Sequence, residues 1–198
     1  MDFEILKKLL TVFTAEDIIY ALAKCDKKNL YTILKLDSRE IWEIFTKTPF
    51  EDIKRKLAFD KNCPEEILRK LAEDKSEYIR ESVAANANSS EDILRKLAED
   101  DSWYVRKNTV VNANCPEDII RKLAEDNTRY VRMCIAVKSN CPEDILRKLA
   151  EDEAWIIRED IAGRPDCPED VLRKLAEDET ERVRKVARAK LKCWVHFQ

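Results

Sequence analysis

A block of thirteen residues returns every 26 positions: NCPEEILRKLAED from Asn62, NSSEDILRKLAED from Asn88, NCPEDIIRKLAED from Asn114, NCPEDILRKLAED from Asn140 and DCPEDVLRKLAED from Asp166. Five such units fill 62–191 without an insertion. A fixed period of this length marks supersecondary units that cannot bury an apolar face alone and become stable by stacking. The frame also extends backwards. Ile41, Trp42 and Phe45 fall where later units have Ile, Leu and Leu, Ile53, Leu57 and Ala58 fall where Ile79, Val83 and Ala84 lie, and TAEDIIYALA over 14–23 resembles the first helix of a shorter unit. The expected architecture is one all-α solenoid domain, a right-handed superhelix of about seven two-helix repeats. Its parts would be an N-terminal cap helix over 1–12, two degenerate repeats over 13–61, five regular repeats over 62–191 and a tail over 192–198.

Within a unit the apolar spacing is helical. Ile93, Leu94, Leu97 and Ala98 form one stripe, and Pro at the first helical position followed by Glu-Asp favours a helix start. On the outer face Glu91, Arg95 and Glu99 lie four apart, as do Asp92, Lys96 and Asp100, which predicts two i,i+4 charge ladders. A second, shorter helix is expected from about Ser102 to Val111, with Val105, Thr109 and Val110 inward and Asp100 as its N-cap. An Arg follows that Asp by six residues in each regular unit, as in Asp100/Arg106 and Asp126/Arg132. The recurrence suggests charge-assisted hydrogen bonds within or between units, or else solvated surface. The second helix should end near Asn86 or Asn112, where Asn tolerates a left-handed cap.

Composition narrows the function. The 198 residues include one Gly, Gly163, which disfavours glycine-rich phosphate loops and sheet-rich folds. The single His, His196, disfavours multi-His metal sites and Ser-His-Asp or Cys-His catalysis. No paired carboxylates stand out, so neither catalytic residues nor a cofactor is expected. The N-terminus lacks the layout of a secretion signal, no apolar stretch reaches membrane-spanning length, and the seven cysteines contain no CxxC pair. These features predict a cytoplasmic protein with no membrane partner.

The Pro openings (Pro64, Pro116, Pro142, Pro168), the run Leu97-Ala98-Glu99-Asp100, the pair Val105-Arg106 and the ending Ala85-Asn86 resemble the leucine-rich repeat variant family, a short helical relative of HEAT-type repeats. The likeness covers 62–191 well and 13–61 weakly. It implies a right-handed superhelix in which one helix per unit is tightened to 3₁₀. A unit of 26 residues is slightly long for the family, which leaves room for both helices to be α, and Ser90 replaces Pro in one unit. The family's iron–sulfur cluster needs an N-terminal cysteine group, whereas residues 1–61 contain only Cys25.

Cysteine recurs at one position, as Cys63, Cys115, Cys141 and Cys167, with Ser89 in the remaining unit. A helix start can lower a thiol pKa and create a reactive thiolate. Stacked helices ~8–10 Å apart nevertheless keep the four from meeting in one disulfide or metal site, and Ser89 favours a small structural residue. Cys193 and His196 form an isolated C-x-x-H, a weak metal signal.

The first helices barely change between units, whereas the second helices do. One position reads Glu77, Trp103, Arg129, Trp155, Glu181, the next Tyr78, Tyr104, Tyr130, Ile156, Arg182, and one turn later stand Glu81, Lys107, Met133, Glu159, Lys185. Aromatics, Met and Arg are enriched in binding hot spots. The candidate contact residues are therefore Trp103, Tyr104, Lys107, Arg129, Tyr130, Met133 and Trp155, with the tyrosines also open to a role as an inter-repeat packing ladder. The expected function is a non-catalytic scaffold binding a protein or peptide through this surface. The alternative is a HEAT-like nucleic-acid-binding solenoid with a localised basic groove, and a cysteine-based redox or metal protein is a more distant possibility. RVRKVARAKLK over 182–192 is locally basic and suits either an anionic contact or a polar terminal cap.

Overall fold

The computed structural model describes residues 51–195, together with Glu43, Thr46 and Lys47. The expected cap helix over 1–12, the degenerate first helices, Cys25 and His196 lie outside the described residues. Eleven α-helices and no strand are present among the described residues: α1 (Glu51–Phe59), α2 (Glu65–Leu71), α3 (Glu77–Ala85), α4 (Glu91–Leu97), α5 (Trp103–Val111), α6 (Glu117–Leu123), α7 (Arg129–Ala136), α8 (Glu143–Leu149), α9 (Trp155–Gly163), α10 (Glu169–Leu175) and α11 (Glu181–Val195). The chain divides between Leu97 and Ala98 into two compact units.

The same rules operate in both units. Even-numbered helices are the first helices of each repeat and odd-numbered ones the second. In the N-terminal unit α3 packs on α1, and in the C-terminal unit α5, α7, α9 and α11 pack successively. The core is the predicted stripe: Ile93, Leu94 and Leu97 are buried, as are Ile119, Ile120, Leu123, Val131 and Ile135. Each such side chain contributes about 1.5–3 kcal/mol relative to exposure. Ile53, Leu57 and Ala58 of α1 are buried, as are Ile79, Val83 and Ala84 of α3.

Several local expectations are corrected. The first helices have seven residues and the second eight or nine in α3, α5, α7 and α9, so the second helix is not the shorter. The first helix closes early because Glu73 and Asp74 donate N–H groups three residues back, to Lys70 and Leu71, in a tightened final turn. Pro64, Pro116, Pro142 and Pro168 keep extended ψ and occupy the N-cap, one residue before the helix. Ser102 is the N-cap of α5. Asp100 lies two residues earlier, where its carboxylate accepts the Ser102 N–H at 2.9 Å. On the outer face the Arg–Glu i,i+4 pairs form, as in Arg95–Glu91. The lysines instead reach sideways to the preceding repeat: Lys96 pairs with Glu73, Lys122 with Glu99 and Lys148 with Glu125.

The recurrent Asp and Arg build a ladder that joins repeats. Arg106 donates through Nη1 to the carbonyl of Asp100 at 2.7 Å and through Nε and Nη2 to the carboxylate of Asp126 at 2.6 and 3.0 Å. Arg132 repeats this with Asp126 and Asp152, and Arg158 with Asp152 and Asp178. Lys54 takes the Arg position in its repeat and reaches Asp74 at 2.7 Å. Bidentate charge-assisted bonds of this kind fix orientation as well as distance.

No described non-glycine residue has positive φ, so Asn86 and Asn112 are not left-handed caps. Asn86 is extended and 5% exposed. Its Nδ2 donates to the carbonyls of Ala58 and Asp60 at 2.7 and 2.8 Å, at the end of α1. A cation does the same work later in the chain: Lys138 Nζ donates to Val110 and Asn112, and Arg164 Nη1 to Ala136 and Lys138. Orphan carbonyls at a helix end are thus satisfied by the repeat that follows.

Candidate functional site

The variable positions converge on the C-terminal unit, where α5 supplies Trp103, Tyr104 and Lys107 and α7 supplies Arg129, Tyr130 and Met133. The packing of α7 on α5 lays the ring of Trp103 against Tyr130, with centroids 5.2 Å apart and planes at 28°. Trp103 also stacks on Tyr104 at 3.8 Å. The Arg129 guanidinium lies 5.0 Å from the Tyr130 ring centroid, and its Nη2 donates to the phenol oxygen at 3.2 Å. That hydrogen bond, reinforced by the charge, holds the Tyr130 phenol below its ordinary pKa.

Trp103, Lys107, Tyr130, Met133, Cys134 and Val137 line an open, predominantly apolar groove of about 280 Å³. Tyr130 is 45% exposed and Val137 63%. An apolar groove rimmed by polar side chains is the usual form of a binding surface. Four of the seven sequence candidates line it, Tyr104 stacks on one of its walls and Arg129 covers another. Trp155 stands apart: it is exposed on α9 with the Arg182 guanidinium 5.3 Å from its ring, and Arg182 is also paired with Glu159 at 2.7 Å. Tyr78, on α3 of the other unit, is exposed. The inter-repeat ring contact runs diagonally from Trp103 to Tyr130.

Cys134 and Val137 were missed in the sequence. For Val137 a signal was available, since the position eight residues after Trp103 reads Ala85, Val111, Val137, Gly163 and Ala189, apolar but away from the core stripe; the position of Cys134 reads Ser82, Asn108, Cys134, Asp160 and Val186 and gave none. An open depression of about 580 Å³ includes Asp160, Arg164 and Asp166. Burial and the charge of Glu159 push the Asp160 carboxyl up, while Arg164 is bound to Asp166 at 2.8 Å and to backbone carbonyls.

The recurrent cysteines are buried, and their Sγ atoms lie 3.8 Å from the carbonyl oxygen of the following Pro in all four repeats. Burial pushes the Cys63 thiol up to about 12 and those of Cys115, Cys141 and Cys167 up to about 11. A helix start therefore does not activate them, because lost hydration outweighs the dipole. Ser89 is the buried equivalent and donates to the Val83 carbonyl at 2.6 Å. No group of three His, Cys, Asp or Glu side chains suited to a metal occurs among the described residues.

The basic run lies in α11. Arg184 Nη1 donates to the carbonyls of Asp178 and Glu179, Arg188 Nε to that of Ala176, and Lys185 pairs with Glu181. The two arginines thus satisfy carbonyls at the end of α10 and in the turn after it, while the Lys185–Glu181 pair lies within α11. Among the described residues no helix is long and apolar enough to cross a membrane.

No family model and no curated protein matches the chain. Among solved structures, a leucine-rich repeat variant with a novel repetitive structural motif aligns at 20% identity and a TM-score of 0.53, covering 85% of this chain and 78% of that one. A designed armadillo repeat protein aligns at 20% identity and a TM-score of 0.36, covering 76% of this chain and 97% of that one. Another, solved with a (KR)4 peptide, aligns at 19% identity and a TM-score of 0.37, covering 82% and 97%. At such identity the first likeness speaks for the fold, which is an all-α repeat solenoid of the leucine-rich repeat variant type.

Proposed function

We propose that the chain is a non-catalytic repeat scaffold that binds a protein or peptide in the groove between α5 and α7. The observation that carries this reading is the groove itself. Trp103, Tyr130, Met133 and Val137 leave apolar surface open, whereas the exposed faces of the first helices are covered by ion pairs such as Arg121–Glu117 and Arg147–Glu143. Aromatic and Met anchors held on packed helices are pre-organised, which lowers the entropic cost of binding. A cytosolic setting suits the five free cysteines among the described residues.

Selection of a random linear peptide library on the full chain tests the reading. Enrichment is expected on the native protein and not on Trp103→Ala or Met133→Ala, with helicity and unfolding midpoint nearly unchanged. Equal enrichment on the Trp103→Ala protein, or collapse of its fold, would assign the ring elsewhere.

A further inference from the structure

We infer that the groove selects an acidic peptide segment, with an apolar side chain seated among Trp103, Tyr130, Met133 and Val137 and flanking Asp or Glu carboxylates on Lys107 and Arg129. This rests on the groove being a peptide site. The argument comes from the cations. Between Ala98 and Arg182, among the described residues, every Arg and Lys but three has a carboxylate partner in the protein. Lys138, one of the three, is taken up by the carbonyls of Val110 and Asn112. The other two are Lys107, which lines the groove, and Arg129, which lies over its Tyr130 wall.

The pattern is specific to these two repeats. At the position of Lys107 and Met133 the flanking repeats carry Glu81 and Glu159, and at the position of Trp103 and Arg129 they carry Glu77 before and Trp155 after, with Glu181 one repeat further on. Acidic side chains are thus absent where the apolar groove opens, and two cations without carboxylates stand there instead. A purely apolar partner covering them would strip their hydration without compensation. A carboxylate supplies it and also steers the encounter.

A single-stranded nucleic acid offers anionic charge as well, but two cations make a short track for a phosphate chain. The Trp103 ring is already stacked on both Tyr104 and Tyr130. The next repeat carries Glu159 and Asp160 at the positions of Met133 and Cys134, which would stop a long phosphate chain from running on past α7, whereas a short acidic segment ends on Lys107 and Arg129.

The peptide library selected on the full chain gives the test. Enriched sequences should share one large apolar or aromatic residue and at least two nearby Asp or Glu residues. A synthetic enriched peptide should bind more weakly as NaCl is raised. The double variant Lys107→Glu/Arg129→Glu, checked by circular dichroism, should weaken that peptide by roughly tenfold, the scale of two exposed ion pairs made and then opposed, and should enrich basic sequences from the same library. Enrichment of neutral or basic peptides on the native chain would overturn the charge assignment and leave the groove standing. Enrichment unaffected by Trp103→Ala would remove the groove as well. Displacement of the peptide by a twelve-residue oligothymidylate at equal concentration would give the site to nucleic acid.

Discussion

Arg132 holds two repeats at once, donating to the backbone carbonyl of Asp126 at 2.6 Å and, through Nε and Nη2, to the carboxylate of Asp152 at 2.7 and 3.0 Å. Both side chains are almost fully enclosed, at 9% and 6% exposure. Removing one partner leaves the other charge desolvated, so Arg132→Met or Asp152→Asn should each cost roughly 2–4 kcal/mol in urea unfolding. Arg132→Lys should lose much of this too, because an ammonium cannot reproduce the two-pronged bond.

Acid should unfasten the same ladder. Burial raises the Asp126 carboxyl, but the Arg106 hydrogen bonds, the Thr128 N–H and the charges of Arg106 and Arg132 outweigh it and hold the group below its ordinary value. Asp178 is lowered chiefly by its hydrogen bond from Arg158, against the effect of burial. With the folded pKa below the unfolded value of about 3.9, the stabilisation is complete above that value and is lost as pH falls through the folded one. Unfolding free energy should be level in this respect from pH 7 to 5 and decline below about pH 4, with a smaller decline in Asp126→Asn.

Lys138 and Asn86 perform one task with different chemistry. Lys138→Asn should therefore be tolerated within about 1 kcal/mol, whereas Lys138→Met leaves the Val110 and Asn112 carbonyls without this donor and should cost about 1–3 kcal/mol by thermal or urea unfolding.

The buried thiols should be inert. In the native protein at pH 8, Cys115, Cys141 and Cys167 should resist iodoacetamide, read by mass mapping of modified peptides, because burial sets their thiols at about 11. Replacing all three with Ser should preserve folding, as Ser89 already occupies the equivalent place at 0% exposure.

Gly163 ends α9 without positive φ, and a Cβ built there meets nothing within 4 Å. Gly163→Ala should raise stability by about 0.5–1 kcal/mol in calorimetry, through reduced freedom of the unfolded chain.

The helical repeat, the core stripe and the second helices as a variable surface were legible because each is written five times. The Asp–Arg spacing also pointed to the ladder, but not to its direction. Arg106 reaches back six residues to a backbone carbonyl and forward twenty to a carboxylate, and the latter separation becomes short only after stacking. Asn86 misled for a related reason. Asn at a helix end fits a left-handed turn by local preference, while its partners, Ala58 and Asp60, lie a whole repeat away. Of the site, the aromatics could be named in advance because they vary against a constant background. Grouping Trp103 with Tyr130, and separating both from Trp155, required the diagonal offset between neighbouring helices. That Lys107 and Arg129 lack a carboxylate partner among the described residues was equally hidden, since it is defined by where all the other charges go.

The two sets of inter-repeat bonds brace both connections of a repeat. The turn before each second helix is tied by Asp and Arg, and the turn after it by Asn, Lys or Arg at the equivalent of Asn86, Lys138 and Arg164. Surface turns are ordinarily where chains accept extra residues; here an added residue would pull a donor off its mark in the adjoining repeat. Sequence drift can consequently repaint the side chains on display but cannot alter their pitch, so any ligand spanning several repeats meets a ruler with fixed graduations and exchangeable markings.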